Sequence, residues 1–377
     1  MTIQNFQETS IMLSFSSLPD PRQNRNQVYP LFDIITITVL AVLCGADDWV
    51  EVSFWGEANL SWLQEKGLCL NGTPSHDTFS RFFRFVDPNA FEKCFINWTQ
   101  KIAKIVGGVI ALDGKTICNS GSGDEKAIHI VSAFSVENDL VLGQLATEKK
   151  SNEITAFPLL IKLLDLKEAI VTIDASGCQK EVTFQICEKK GDYILALKGN
   201  QGSLHAEAKN FFLQALQVTP EEADCDYYIN EEKSRGRHEI REVWVTNQLD
   251  WLPQKEDWSC LNSLVCLKST RRIKKKETIE YRYYISSLQA DAWKIGHAIR
   301  SHWSVENKLH WQLDISYGED DCKVRKDNGA ENFSIIRRAT LNLLKSDKKT
   351  KAGIKNKRSK AGWDKNYMLK ILSMGCK

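Results

Sequence analysis

Two short apolar runs in this chain end on an aspartate, and a glutamate lies far downstream in a strongly patterned segment. Asp113 follows Val109–Leu112 in VIALDGKTI, and Asp174 follows Ala169–Ile173 in AIVTIDA. Glu306 sits inside IGHAIRSHWSVENKLHWQLDISYGEDD, Ile295 to Asp321. Three carboxylates brought together can hold two divalent cations roughly 3.5–4 Å apart. One such ion activates a water or a 3′-hydroxyl, and the other stabilises the leaving oxygen of an in-line phosphoryl displacement. All-oxygen ligands suit Mg²⁺, which keeps its own waters. Each aspartate alone is a weak signal, because Asp-Gly after a strand is a common turn. The joint pattern points to metal-dependent phosphoryl transfer. His302 and His310 flank Glu306 at i−4 and i+4, a spacing that also suits a metal-binding face. The internal order of a His-Glu-x-x-His protease is absent, so we read both as core or DNA-contacting residues. There is no Gly-x-Ser-x-Gly, Walker loop or dinucleotide fingerprint.

A helix from about Asp291 to Tyr317, stopped by Gly318, would carry Glu306. With successive residues turned by about 100°, Ile299, His302, Trp303, Glu306, Leu309, His310 and Leu313 share one stripe, which predicts that Glu306 faces the core. A carboxylate aimed inward needs a positive partner. A metal ion is one such partner, and a structural Arg or Lys in a buried ion pair is the other. Asp314 lies about 80° off that direction and roughly 12 Å further along the axis. Glu319, Asp320 and Asp321 are expected in a solvated turn, with a structural Arg as the alternative partner.

The elements that would position these groups are helical first, then α/β. Residues 1–105 read as an all-helical unit behind a polar leader that ends at about Tyr29 and is turn-like at Ser17–Gln27, with helices at Leu31–Gly45 and Val50–Glu65, one opened by Thr73-Pro74-Ser75-His76, and one at Ala90–Ile105. Arg81 and Arg84, outward on the third, are candidate DNA contacts with the helix N-terminus against phosphate, or else are merely solvated. From Gly108 come three strand-like runs, 109–117, 128–136 and 140–148, the last two joined as a hairpin through Glu137-Asn138-Asp139. A helix at 154–166, a strand at 169–175, a helix at 178–190 and a strand at 192–201 follow. That is the order of a ribonuclease-H-like mixed sheet with helices on both faces, and it makes the strands ending at Asp113 and Asp174 neighbours. After a helix at 203–216, four strand-like runs at 226–232, 239–246, 263–269 and 278–287 form a β-rich insertion, about 202–288, ahead of the Glu306 helix. Asn332–Leu344 is a further helix. The catalytic domain is expected at 106–345, and 346–377 reads as a loosely ordered basic tail, with a short terminal turn at Tyr367–Leu372 as the alternative for its end.

In composition the chain reads as an ordinary soluble globular protein of 377 residues, 42% hydrophobic and 26% charged. Its net charge of +2 argues neither for nor against nucleic acid, but Lys268–Lys276 and Lys345–Lys365 are locally very basic. Eleven cysteines without a Cys-x-x-Cys pair read as reduced cytoplasmic thiols rather than a disulfide frame or a zinc site. The apolar run Leu31–Ala46 carries Asp33 and falls short of the roughly 18 uncharged residues a bilayer span needs, so no membrane is expected.

At these residues the chain resembles the DDE transposases, specifically the ISAs-type insertion-sequence group that includes the H-repeat-associated proteins. The matching stretches are PSHDTFSRFFRFVDP, ALDGKTI, IDASGCQ, YILALKGNQ and RSHWSVENKLHWQLDISYGEDD with AENFSIIRRATLNLLK. They keep one order from about Pro30 to Lys345, and HWSVENKLHWQLD is the most specific of them. The resemblance implies a ribonuclease-H-like core, an N-terminal helical DNA-binding region, and an endonuclease and strand-transfer activity dependent on two Mg²⁺ or Mn²⁺ ions. Its acidic triad carries over onto Asp113, Asp174 and Glu306. The implied partners are double-stranded DNA, as terminal inverted repeats and target, and a second copy of the chain on that DNA. The implied location is the bacterial cytoplasm, at the nucleoid. Arg81, Arg84, Lys115, Lys198, Arg300, His302 and Lys308 are the candidate DNA contacts. Many related transposases carry Tyr-x₂-Arg-x₃-Glu-x₆-Lys around the last acid. Registered on Glu306, this chain has Ile299, His302 and Leu313 at the other three positions, so the phosphate-gripping roles pass to other residues, with Arg300, Lys308 and His302 as candidates. Two further readings use the same residues: a catalytically silent DNA-binding remnant and a stand-alone nuclease.

Overall fold

The computed structural model describes residues 9–23, 27–121, 126–147, 153–234, 236–274 and 276–375. Asn24–Asn26 of the turn-like leader, Glu148 at the end of the third strand-like run and Lys275 of the basic run lie outside the described residues. The chain opens with helices α1 Ser10–Phe15, α2 Leu31–Leu43, α3 Trp49–Ala58, α4 Leu60–Glu65, α5 His76–Phe85 and α6 Pro88–Ile102. Strands β1 Gly108–Thr116, β2 His129–Ser135 and β3 Leu140–Thr147 come next, then α7 Glu153–Leu163, β4 Ala169–Ile173, α8 Lys180–Glu188 and β5 Asp192–Leu197. After α9 Gly202–Ala215 come β6 Asp226–Ser234, β7 Arg237–Thr246, β8 Ser263–Ile273 and β9 Lys276–Ser286. The remaining helices are α10 Ala292–His302, α11 Trp311–Tyr317, α12 Gly329–Ser346, α13 Ile354–Trp363 and α14 Lys365–Leu372. The class is mixed α/β. Among the described residues no helix is long and apolar enough to cross a membrane.

Two compact units emerge: Met1–Lys104, Gly114–Asn152 and Glu306–Lys377 form one, and Ile105–Asp113 with Glu153–Val305 form the other. The first is mainly helical. Its α2 is mostly apolar and buried along most of its length, Asp33, Thr36 and Thr38 included. In α5 the Ser75 side chain caps the Thr78 N–H, and Phe79, Phe82 and Phe83 turn inward. Asp87 caps α6 in the same way, with Pro88 in its first turn, where the missing N–H costs nothing. Trp49 stacks on Phe83 at 4.8 Å and meets Phe333 of α12 edge-on at 4.6 Å. The β2–β3 hairpin pairs Ser135 with Leu140.

Three expectations need correction in this unit. Val50–Glu65 is not one helix: it breaks at Asn59, whose side-chain amide donates to the Trp55 carbonyl at 2.8 Å and competes with the helical ladder. Ser10–Phe15, within the polar leader, is helical, and Ile11, Met12 and Phe15 are buried. The basic tail is ordered as α13 and α14, with Lys357 and Arg358 buried. Arg358 donates to the carbonyls of Val42 (2.9 Å) and Ala46 (3.2 Å) and to Asp47 (2.8 Å). It thereby adds a side-chain donor to carbonyls at and just beyond the C-terminal end of α2, where the helical ladder runs out.

In the second unit the strand order runs β1-β4-β5-β9-β8-β7-β6. β1, β4 and β5 are parallel neighbours, and β4, Ala169–Ile173, is buried throughout. β9 pairs antiparallel with β5, Leu195 opposite Ile285, so the four strands of the β-rich region extend this sheet. The Asp291 side chain caps α10 at the Lys294 N–H, 2.8 Å.

The helix expected from Asp291 to Tyr317 is not continuous. α10 ends at His302, Glu306–His310 is a π-helical turn, and α11 ends at Gly318 with φ +55°. A π-turn adds a residue and breaks the 3.6-residue period. The stripe read from that period therefore fails in its middle: the Glu306 side chain is 53% exposed and Trp303 46%, while Leu309, His310 and Leu313 are buried. Glu306 does not face the core.

Candidate active site

β1 and β4 run parallel with Leu112 opposite Ile173. Asp113 and Asp174 come directly after that pair, so they stand side by side where the β1–β4 pairing ends, β1 itself running on to Thr116. Side chains alternate along a strand, which puts Asp113 with Ala111, and Asp174 with Thr172, on one face. Neighbouring strands lie about 4.8 Å apart, a distance at which two carboxylates can share an ion. His302 Nδ1 lies 3.0 Å from Thr172 Oγ1, which fixes the end of α10 to that same face of β4.

The turn after β4 is built to hold Asp174. Its carboxylate caps a short 3₁₀ turn, Ala175–Gly177, by accepting the Ser176 N–H at 3.0 Å. The Ser176 hydroxyl lies between Asp174 and Glu153 Oε2, 3.1 Å from the latter. Asn200, just beyond β5, donates to the Ala175 carbonyl at 2.7 Å. A Cβ on Gly177 would lie 2.3 Å from the Ile173 side chain, so only glycine lets the turn pack under the strand.

Within the helical unit, Glu306 opens the π-turn, its Oε2 3.5 Å from Nδ1 of the buried His310. Lys115, two residues past Asp113 and a candidate DNA contact by sequence, is instead 9% exposed and turned inward. Its ammonium lies 2.6 Å from Asp320, 2.7 Å from Asp314 and 3.8 Å from Glu319. Burial works against that charge, but Glu319, Asp314 and Asp320 outweigh it and hold Lys115 above the usual lysine range. Glu319 is wholly buried rather than solvated and meets the equally buried Arg338 at 2.9 Å. Burial works against the Glu319 carboxylate, yet Arg338, Arg337 and Lys115 together hold it below the usual carboxylate range. The left-handed Gly318 turns the chain so that Glu319 meets this Arg, the partner named as the alternative to solvent.

Of the other candidates, Lys198, Arg300 and Lys308 are exposed, Arg300 with Glu232 at 3.3 Å. Arg81 is exposed, and Arg84 pairs with Asp327 at 2.6 Å. Arg81 and Arg84 line a cleft of about 500 Å³ together with Lys323, Arg325 and Lys326. Sequence reasoning misses these last three. Their signal is KVRK directly after the acidic turn, but nothing in the sequence places that run beside α5.

The chain matches the family model described as "Transposase DDE domain" over residues 106–343, and the one described as "DDE_Tnp_1-associated" over residues 12–99. It is 43% identical to "H repeat-associated putative transposase YhhI" of Escherichia coli strain K12, over 96% of this chain and 97% of that one. It is also 43% identical to "Putative transposase YncI" of Escherichia coli O157:H7, over 97% and 94% of the two chains. A distant structural likeness, to a piggyBac transposase synaptic complex with hairpin DNA, has a TM-score of 0.41 at 11% identity, covering 98% of this chain and 78% of that one.

Proposed function

Because the chain belongs to the DDE transposase family, we propose that it cleaves DNA at the terminal inverted repeats of an insertion sequence and transfers the freed strands to target DNA, with Asp113, Asp174 and Glu306 as its metal-holding acids. The observation that carries this reading is the in-register edge of β1 and β4, which sets Asp113 beside Asp174 on one face. Their donor set is all oxygen and suits Mg²⁺ or Mn²⁺. Two bound ions would activate the attacking water or 3′-hydroxyl and stabilise the leaving oxygen.

The chain's own residues do the positioning. Ser176 and Asn200 hold the Asp174 turn, and His302 fastens α10 to the face of β4 that carries Asp174, four residues before Glu306. Arg81, Arg84 and the Lys323–Lys326 loop bind the phosphate backbone, so affinity falls steeply with salt. Two element ends are joined in one reaction, so the working form is at least a dimer on DNA.

The test is cleavage of DNA carrying the cognate inverted repeats with Mg²⁺ or Mn²⁺. Asp113→Asn, Asp174→Asn and Glu306→Gln should each bind that DNA and fail to cut it, whereas Asp314→Asn should still cut. Repeat binding without cleavage by the parent protein would make it a silent remnant. Cleavage indifferent to the repeats would make it a stand-alone nuclease.

A further inference from the structure

A cavity of about 330 Å³ opens on the helical unit at the turn that carries Glu306. Asn307 and Lys308, the next two residues, line it together with Lys345 at the end of α12 and Lys348, Lys351 and Lys357 beyond. Five lysines there face two carboxylates, Asp139 and Asp347. Asp139 meets Lys345 at 2.8 Å and Lys348 at 3.0 Å. Asp347 is held by the Tyr367 hydroxyl at 3.0 Å and by Lys370 at 3.3 Å. The Lys357 ammonium donates to main-chain carbonyls, Leu344 at 3.1 Å and Asp347 at 2.7 Å.

Lysines in a solvated charge run point apart into water. Here Lys345 and Lys357 are drawn inside, 6% and 7% exposed. Burial pushes Lys345 down to about 8 in spite of Asp139, and Lys308 and Lys348 press it the same way. Burial lowers Lys357 too, with Lys348 and Lys351 adding to it, against the opposing pull of Asp347 and Asp139. Asp139 and Asp347 balance only part of this group, and the five lysines against two carboxylates leave an excess of three positive charges that a further anion would offset.

We propose that this lysine cradle grips a phosphodiester of the DNA strand being processed, with Lys308, Lys348 and Lys351 making the contacts and Lys345 and Lys357 supplying the positive field beneath them. It would take over the phosphate-gripping role that Ile299, His302 and Leu313 leave unfilled. The inference rests on reading the chain as a DNA-processing enzyme. A DNA strand is preferred to a free phosphate because the cradle is open along the surface and begins directly after Glu306.

The test compares the full chain with Lys308→Gln/Lys348→Gln/Lys351→Gln and with a control triple, Lys101→Gln/Lys162→Gln/Lys209→Gln, of exposed lysines elsewhere. Binding to a short duplex of random sequence is titrated with salt, without divalent ions, so cleavage competence plays no part. The cradle triple should bind at least about tenfold more weakly at low salt and lose about two to three from the salt slope, one phosphate contact per lysine. The control triple should match the parent. Acetylation of lysines read by mass spectrometry should show Lys308, Lys348 and Lys351 shielded by the duplex. A cradle triple indistinguishable from the control overturns this proposal alone. Shielding by millimolar inorganic phosphate but not by duplex overturns the DNA assignment in favour of a free-anion site. A parent protein that binds no duplex overturns this proposal and the transposase reading together.

Discussion

Glu319→Gln should be among the most damaging single changes to the helical unit. The carboxylate and its partner Arg338 are both fully buried, 2.9 Å apart, and Lys115 lies 3.8 Å away. Removing one partner of a buried pair costs about 3–5 kcal/mol, because the other charge is left without compensation. Gln still accepts a hydrogen bond from Arg338, so the lower part of that range applies. At about 2–4 °C per kcal/mol for a unit of this size, the melting midpoint should fall by roughly 6–12 °C. The pH dependence adds a second signature. The Glu319 carboxylate is held below its ordinary range, so its contribution is fully present above about pH 4.3 and fades as pH falls through its lower native value. Acidification below about pH 4 should therefore destabilise the parent more steeply than Glu319→Gln. Adding Arg338→Met to Glu319→Gln removes the stranded charge and should recover part of the loss. Thermal melts by circular dichroism at pH 7 and pH 3.5 read all three proteins. A fall of under 2 °C at pH 7, or a double variant as unstable as the sum of the two singles, would refute the argument.

Glu306→Gln should behave in the opposite way: its side chain is 53% exposed, so melting should move by no more than about 1 kcal/mol equivalent while cleavage disappears. A large melting shift there would make the residue structural. Glu92 is buried, accepts the Gln144 N–H at 2.8 Å, and is pushed up to about 8 by that burial. Its native state keeps a proton that the unfolded chain releases above about pH 4.3, so stability should fall between about pH 5 and 8, and Glu92→Gln should flatten that decline in urea titrations. Arg358→Met strips the side-chain donor from the buried carbonyls of Ala46 and Ser316, at about 1–3 kcal/mol for each group left unsatisfied, while Val42 keeps the Gly45 N–H. It should lower the melting midpoint of the full chain even where DNA binding is unchanged, and an unshifted midpoint would show that the tail is dispensable for the fold.

Local patterning made most elements legible. β4 announced itself as AIVTI, β-branched and apolar, because a strand covered on both faces has no polar side to show. The register that sets Asp113 beside Asp174 followed from strand order. Two of the failures share a cause, which is distance along the chain. Glu319 reads as part of a solvated acidic turn until Arg338, 19 residues later, is folded over it. Arg358 reads as solvated because the carbonyls of Val42 and Ala46 that it meets belong to residues more than 300 positions earlier. The π-turn hid for a different reason: its residues suit an ordinary helix equally well, and the one-residue excess shows only when the two flanking faces are compared.

The helical unit is assembled from three separated stretches, and Arg358 of α13 closes the end of α2. During synthesis its first helices therefore leave the ribosome long before the groups that complete them. At about 5–20 residues per second, the interval between Val42 and Arg358 is some tens of seconds. The segment Glu153–Val305, most of the second unit, is finished within that interval. Until Arg358 emerges, α2 is an apolar helix without its late partners, exposed to chaperones and to aggregation. Expression at low temperature or with added holdase should matter more for this chain than for one whose N-terminal unit is contiguous. Ribosomes stalled before Arg358 should present the α2 region to protease, and ribosomes stalled well beyond it should protect it.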